Sequence, residues 1–179
     1  IGGTEPRSGN VLSSNNGNGI RIRESAKRNR ILGNFIGTNA AGTAALGNQS
    51  AGIDLRGPGT EVLQNLISGN GRFAGPGIAI SGNDSLVDGN YIGTDVTGTL
   101  PLGNRLAGIT TGICVGVRIG MDGGPGNVIA FNFDNFDQDG SGISIRPISG
   151  GTAQVQIAAA NSIHSNEGLG IDLRPFGVN

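Results

Sequence analysis

The sequence predicts an all-β fold, a β-solenoid of about six coils, and three observations carry that prediction. A short strand-like segment built on "xGI" occurs six times, at residues 18–22, 51–55, 76–80, 107–111, 141–145 and 169–173. The stretch "GNFIGTNAAGTAALGNQSAGI" from Gly33 to Ile53 returns as "GNYIGTDVTGTLPLGNRLAGI" from Gly89 to Ile109, 56 residues later and without insertion. The chain of 179 residues holds 35 glycines, 19 asparagines, no tryptophan and 4% aromatic residues. A core of such a chain must be aliphatic, and its Gly and Asn residues favour short strands separated by tight turns.

From one repeated glycine to the next (Gly19, Gly52, Gly77, Gly108, Gly142, Gly170) the steps are 33, 25, 31, 34 and 28 residues, the range of one supersecondary unit per repeat. Within a unit, apolar and polar residues alternate. Ile20 and Ile22 face one way, Arg21 and Arg23 the other. No unit carries a helical pattern, and glycine recurs too often for a helix to survive. A three-residue strand with one apolar face cannot bury that face alone, whereas stacked coils place each Ile or Leu on its counterpart one rung away. At about 4.8 Å per rung, six coils make a rod on the order of 30 Å long.

A second element recurs between these strands, as "NVLSSN" at Asn10, "NLISGN" at Asn65, "NVIAFN" at Asn127 and "NSIHSN" at Asn161. Two long coils carry the "IGT...GT..LGN" loop in its place, so the 56-residue period measures two turns of the solenoid. Asn10, Asn65, Asn127 and Asn161 are expected to form one ladder of amide hydrogen bonds along the axis, and Asn15, Asn70, Asn132 and Asn166 another. Asn39 and Asp95 hold matching places in the long loops and are read as turn caps. Outer strand positions (Arg21, Arg23, Asp54, Arg56, Ser144, Arg146, Asp172, Arg174) are read as a solvated face of mixed charge. Residues 1–179 form a single domain, and because the chain opens in mid-pattern at "IGG" we expect a piece of a longer polypeptide.

A formal charge of −1 gives no electrostatic reason to expect nucleic acid or an anionic membrane, and no apolar run approaches the roughly 20 residues that span a bilayer. Cys114 is the only cysteine and is expected to be buried. Catalytic chemistry finds few residues to use. Lys27 is the only lysine and His164 the only histidine, and His164 occupies the slot that Ser13, Ser68 and Ala130 fill in other copies. One acidic stretch invites a metal. In "DNFDQDGSG", from Asp134 to Gly142, alternating Asn135, Asp137 and Asp139 precede Gly140 in the manner of a calcium loop, but the bidentate glutamate of that motif is replaced by Arg146. Two readings stay open here, and one is a looser Ca²⁺ site with Asp134, Asp137 and Asp139 as ligands, at millimolar-type affinity. The other, which the sequence favours, is a polar loop that bulges from the coil, with Phe131, Phe133 and Phe136 packed over a coil face or offered as a stacking platform for sugar.

Together, "GNxIGTxxxGTxxLGNxxxGI", "NxIxxN" and the closing "NSIHSNEGLGIDL" resemble the right-handed parallel β-helix repeat proteins of large secreted or surface-attached bacterial polypeptides, in the pectate-lyase-like superfamily. The resemblance spans Ile1 to about Leu173. It implies a right-handed coil with three parallel sheets, export to the cell surface or beyond, and a last coil at "NEGLGIDL"; Thr110, Thr111 and the run "ICVGVRIG" (113–120) depart from the pattern, and an irregular rung is expected there. The "NTD", "DD" and "GHG" arrangements of the polygalacturonase-like enzymes are missing. The function expected is a non-catalytic structural or adhesive module requiring no cofactor. A carbohydrate-binding or polysaccharide-cleaving β-helix is the alternative, and an ice-binding surface a distant third, since Thr38, Thr43, Thr94, Thr97 and Thr99 lie in only two loops. Expected partners are extracellular polysaccharide, neighbouring modules of the same chain, or further copies joined end to end through open strand edges.

Overall fold

A computed structural model describes residues 1–5, 8–73, 75–134, 140–146 and 153–173. The described residues form seventeen short strands and no helix. The first coil contributes β1 (Val11–Leu12) and β2 (Ile20–Ile22), and each later coil three strands: β3 (Arg30–Leu32), β4 (Phe35–Ile36) and β5 (Ile53–Leu55); β6 (Glu61–Leu63), β7 (Leu66–Ile67) and β8 (Ile78–Ile80); β9 (Leu86–Asp88), β10 (Tyr91–Ile92) and β11 (Ile109–Thr111); β12 (Cys114–Ile119), β13 (Val128–Ala130) and β14 (Ile143–Ile145); β15 (Ala153–Ile157), β16 (Ser162–His164) and β17 (Ile171–Leu173). Every third strand pairs in parallel, giving three sheets: sheet 1 runs from β2 through β5, β8, β11 and β14 to β17, sheet 2 from β3 to β15, and sheet 3 from β1 to β16. This is the right-handed parallel β-helix the sequence predicts.

Register converts sequence repetition into a core. In sheet 1, Ile20, Ile53, Ile78, Ile109, Ile143 and Ile171 form one column and Ile22, Leu55, Ile80, Thr111, Ile145 and Leu173 a second. Sheet 3 supplies Leu12, Ile36, Ile67, Ile92, Ile129 and Ile163, and sheet 2 Ile31, Val62 and Val87 followed by Ile119 and Ile157. Most of these side chains are fully buried, and each buried Ile, Leu or Val stabilises the fold by about 1.5–3 kcal/mol. Ile36 and Ile92 share a column two rungs apart, so the 56-residue period does measure two turns. The irregular rung falls within the expected run, residues 113–120. Thr110 and Thr111 keep register with Ile78–Ile80 and Ile143–Ile145, with Thr111 pointing into the core. The irregularity falls in β12, where register shifts between Cys114 and Val117 around Gly116 at φ +72°.

Both asparagine ladders exist, each longer than the sequence indicated. In the first, Nδ2 of each residue donates to Oδ1 of the next through Asn10, Asn34, Asn65, Asn90, Asn127 and Asn161, at 2.8–3.0 Å. The second runs through Asn15, Asn48, Asn70, Asn104, Asn132 and Asn166 at the same spacing. The four-membered ladders expected from the short coils therefore skip rungs that Asn34, Asn90, Asn48 and Asn104 of the long coils fill. A long coil does not replace the "NxIxxN" element. It keeps both asparagines and inserts nine residues between them, since Asn34 and Asn48 are 14 apart where Asn65 and Asn70 are 5.

Candidate functional site

On a solenoid, anything that meets a ligand does so from the outside of a sheet or from an inserted loop. The two inserted loops have the same construction. A backbone bridge pairs Thr38 with Ala45 in one and Thr94 with Pro101 in the other, and the N–H groups of Asn39 and Asp95 donate to the carbonyls of Ala44 and Leu100 at 2.9 Å. Asn39 Oδ1 accepts from the amides of Thr43 and Ala44, and Asp95 Oδ1 from those of Thr99 and Leu100. Both residues are the turn caps the sequence predicts. Burial opposes ionisation of Asp95, but the N–H of Leu100, the Thr97 hydroxyl and the N–H of Thr99 together outweigh it and hold its carboxyl below the usual range.

That shift fixes a sign. A folded-state value below the unfolded one contributes stability that is complete above the ordinary carboxylate pKa and is lost as pH falls through the folded value. We expect Asp95→Asn to preserve the loop, as Asn39 does in its counterpart. Asp95→Ala costs about 1 kcal/mol and raises amide exchange at Thr99 and Leu100. Equal exchange in the two variants would sink the cap assignment.

The loops cover the outside of sheet 3. That face is apolar: Val11, Phe35, Leu66, Tyr91 and Val128 stand in one outward column that ends at Ser162. The amide of Val96 donates to the Gly42 carbonyl at 2.9 Å, tying the second loop to the first above Leu66, which is only 3% exposed. A methyl added at Gly42 would meet Leu66 and Val96 at 2.8 Å, and one at Gly98 the Tyr91 ring at 3.0 Å. The sequence reading missed this stripe. Its signal is in the sequence, because the residue after each asparagine of the first ladder is apolar in five of six coils.

Sheet 1 presents an outward column of Arg21, Asp54, Ala79, Thr110, Ser144 and Asp172. It is less solvated than expected. Asp54 is 9% exposed and Ser144 fully buried. Asp54 lies between two guanidinium groups, with Arg21 Nε at 2.9 Å and Arg56 Nε at 3.2 Å, and Asn18 adds a longer contact. Beside them, Glu24 and Pro76 help line a shallow groove of about 500 Å³. Arg174 of that expected face lies outside the described residues. On sheet 2 the outward positions are Arg30, Glu61, Leu86, Arg118 and Gln156 in one column and Leu32, Leu63 and Asp88 in another, and they include two carboxylates: Glu61, which accepts from Arg30 Nε at 2.8 Å, and the buried Asp88, which accepts from the Gly126 amide at 3.2 Å.

Of the three expected calcium ligands only Asp134 is among the described residues. Asp134 is buried, its backbone N–H donating to Glu167 Oε2 at 2.7 Å, while Asp137 and Asp139 lie outside the described residues. Among the described residues no three His, Cys, Asp or Glu side chains converge as metal ligands would. His164 is exposed at the end of β16, hydrogen-bonded to the Ser165 hydroxyl at 3.2 Å and set edge-on to Phe131 with ring centroids 5.9 Å apart. Cys114 is buried as expected, and burial pushes its thiol above the ordinary value despite the nearby Thr111 hydroxyl. No described helix is long and apolar enough to cross a membrane. No protein-family model, curated protein or solved structure matches this chain.

Proposed function

We propose that this chain is a non-catalytic structural or adhesive β-helix module of an exported bacterial polypeptide, of the pectate-lyase-like superfamily, extracellular or at the cell surface. One observation carries the reading: on the described strands, the outward aromatic and the outward acidic side chains stand on different sheets. Phe35 and Tyr91 stand on sheet 3, where no outward strand position is a carboxylate. Asp54 and Asp172 stand four rungs apart on sheet 1, and Asp54 is already paired with Arg21 and Arg56. Hydrolysis of a glycoside needs two carboxyl groups within about 10 Å of each other, flanking one bond; rungs about 4.8 Å apart put Asp54 and Asp172 well beyond that, and the carboxylates that stand closer are engaged within the chain, Glu24 and Asp54 by Arg56, Glu61 by Arg30 and Asp88 by the Gly126 amide.

The test is incubation with a panel of acidic and neutral polysaccharides, with and without added Ca²⁺. We expect no new reducing ends and no unsaturated products. Cleavage of any member of the panel would overturn the reading in favour of a polysaccharide-degrading β-helix.

A further inference from the structure

One corner of the rod, between sheets 1 and 2, concentrates positive charge. We infer that it binds a sulfated polysaccharide, which rests on the adhesive reading above and deepens it by naming a ligand class.

The charge is written in one stretch of sequence. Residues 21–30, "RIRESAKRNR", hold five of the twelve basic side chains and a single acidic one, Glu24. They cover the end of β2, the turn 23–29 and the start of β3, and that turn is longer than the next two between the same sheets, 56–60 and 81–85. Around the corner stand Arg21, Arg23, Lys27, Arg28, Arg30 and Arg56, against the carboxylates Glu24, Asp54 and Glu61. Those carboxylates are already engaged by Arg21, Arg30 and Arg56. Arg23, Lys27 and Arg28 are exposed, and their side chains form no ion pair or hydrogen bond among the described residues.

The patch lies along the side of the rod. A Cβ added at Gly59 would meet the Arg28 Cγ at 3.4 Å, so the Arg28 side chain extends over the following turn. Arg56 of that turn reaches back to Glu24 at 3.5 Å.

The backbone supplies a second observation. Arg28 has φ +53°, and the matching residues two places before the next strands, Gly59 and Asp84, have φ +69° and +55°. Each turn needs a left-handed residue there, and glycine fills that place without strain. In the first turn a long cationic side chain occupies it instead, with a charged end that meets nothing in the chain. Strain kept where the fold makes no use of the guanidinium points to a ligand.

Three unpaired cations within six residues suit a densely ionised anion. Sulfate esters provide one, because guanidinium forks and a lysine ammonium hold such oxyanions through charge-assisted hydrogen bonds. A polyuronate carries only one carboxylate per sugar. An anionic bilayer fits less well, since residues 21–30 expose no large apolar side chain to anchor in lipid. Duplex DNA is dense in charge but stiff. Along the rod it would run onto the exposed Asp84 of turn 81–85, in a chain of net charge −1.

The test is calorimetric binding of the 179-residue chain to heparin fragments at physiological salt, with polygalacturonate, a DNA duplex and anionic vesicles as comparison probes. Saturable binding to heparin, tighter than to the other three, is the expected result. Arg28→Gly removes the cation and the backbone strain together, so affinity should fall several-fold while the thermal midpoint holds or rises. Arg23→Gln combined with Lys27→Gln should abolish binding, and Arg72→Gln, at an exposed arginine elsewhere on the rod, should leave it unchanged. No binding of heparin, equal losses at Arg28 and Arg72, or tighter binding of any comparison probe each overturns the proposal. A chain that neither binds heparin nor cleaves polysaccharide loses this inference and keeps the structural reading, whereas cleavage ends that reading whatever heparin does.

Discussion

Asn70→Ala lowers the unfolding free energy by about 3–4 kcal/mol, while Asn15→Ala, in the same ladder, costs about 1 kcal/mol or less. Asn70 is buried. Its Nδ2 donates to the Ile36 carbonyl, the Ser68 carbonyl and Asn104 Oδ1, and its Oδ1 accepts from the amide and side chain of Asn48. Truncation strands polar groups of three neighbouring rungs where water does not reach, and each orphaned group costs about 1–3 kcal/mol, partly recovered by relaxation. Asn15 stands at the exposed end of the ladder, where water replaces the missing partner. Asn70→Asp should be worse than alanine, because a carboxylate cannot donate and would face the oxygens of Ile36 and Asn104. Denaturant titrations check this through the midpoint at constant m-value. Equal losses at Asn70 and Asn15 would mean that the ladder adds nothing to its individual bonds.

Gly37→Ala destabilises the chain by about 3 kcal/mol or more, and Gly17→Ala leaves it nearly unchanged. Gly37 has φ +91°, a conformation that costs an L-residue about 1–2 kcal/mol. A Cβ there would also run into the Ser68 carbonyl and the Asn70 side chain one rung away, adding about 1–3 kcal/mol of overpacking. Neither neighbour can yield, because the Ser68 amide is bonded to the Ile36 carbonyl and Asn70 belongs to the ladder. At Gly17 an added methyl meets nothing within 4 Å. Thermal unfolding of the two variants beside the parent decides it, and a well-behaved Gly37→Ala would show that the rungs separate more readily than the register implies.

These predictions locate where the sequence was legible. Ladder asparagines and corner glycines recur in copy after copy, so alignment of the chain with itself exposes them. The reading failed where it treated the long loop as an alternative to "NxIxxN". Asn34 and Asn48 were visible, but nine inserted residues hid their equivalence to Asn65 and Asn70. The apolar outer column of sheet 3 was hidden for a related reason. A two-residue strand such as Phe35–Ile36 offers one inward and one outward residue, too short a run for alternation to register. The calcium expectation at Asp134, Asp137 and Asp139 rests on local spacing alone, and of the three only Asp134 is described, its backbone N–H meeting Glu167 from the next coil.

By itself the sequence determined the coil, its number of turns, the aliphatic columns, both ladders in outline, and the capping roles of Asn39 and Asp95. All of these follow from short-range pattern repeated in register, which stacking forces to coincide. Only the tertiary structure decided which outward residues are covered, as Leu66 is beneath two joined loops, and which charges meet, as Arg21, Asp54 and Arg56 do. The physical reason is that coils differ in length from 25 to 34 residues. Neighbours across rungs therefore stand at no constant offset along the chain, and their pairing is fixed by the backbone ladder that brings successive coils into line.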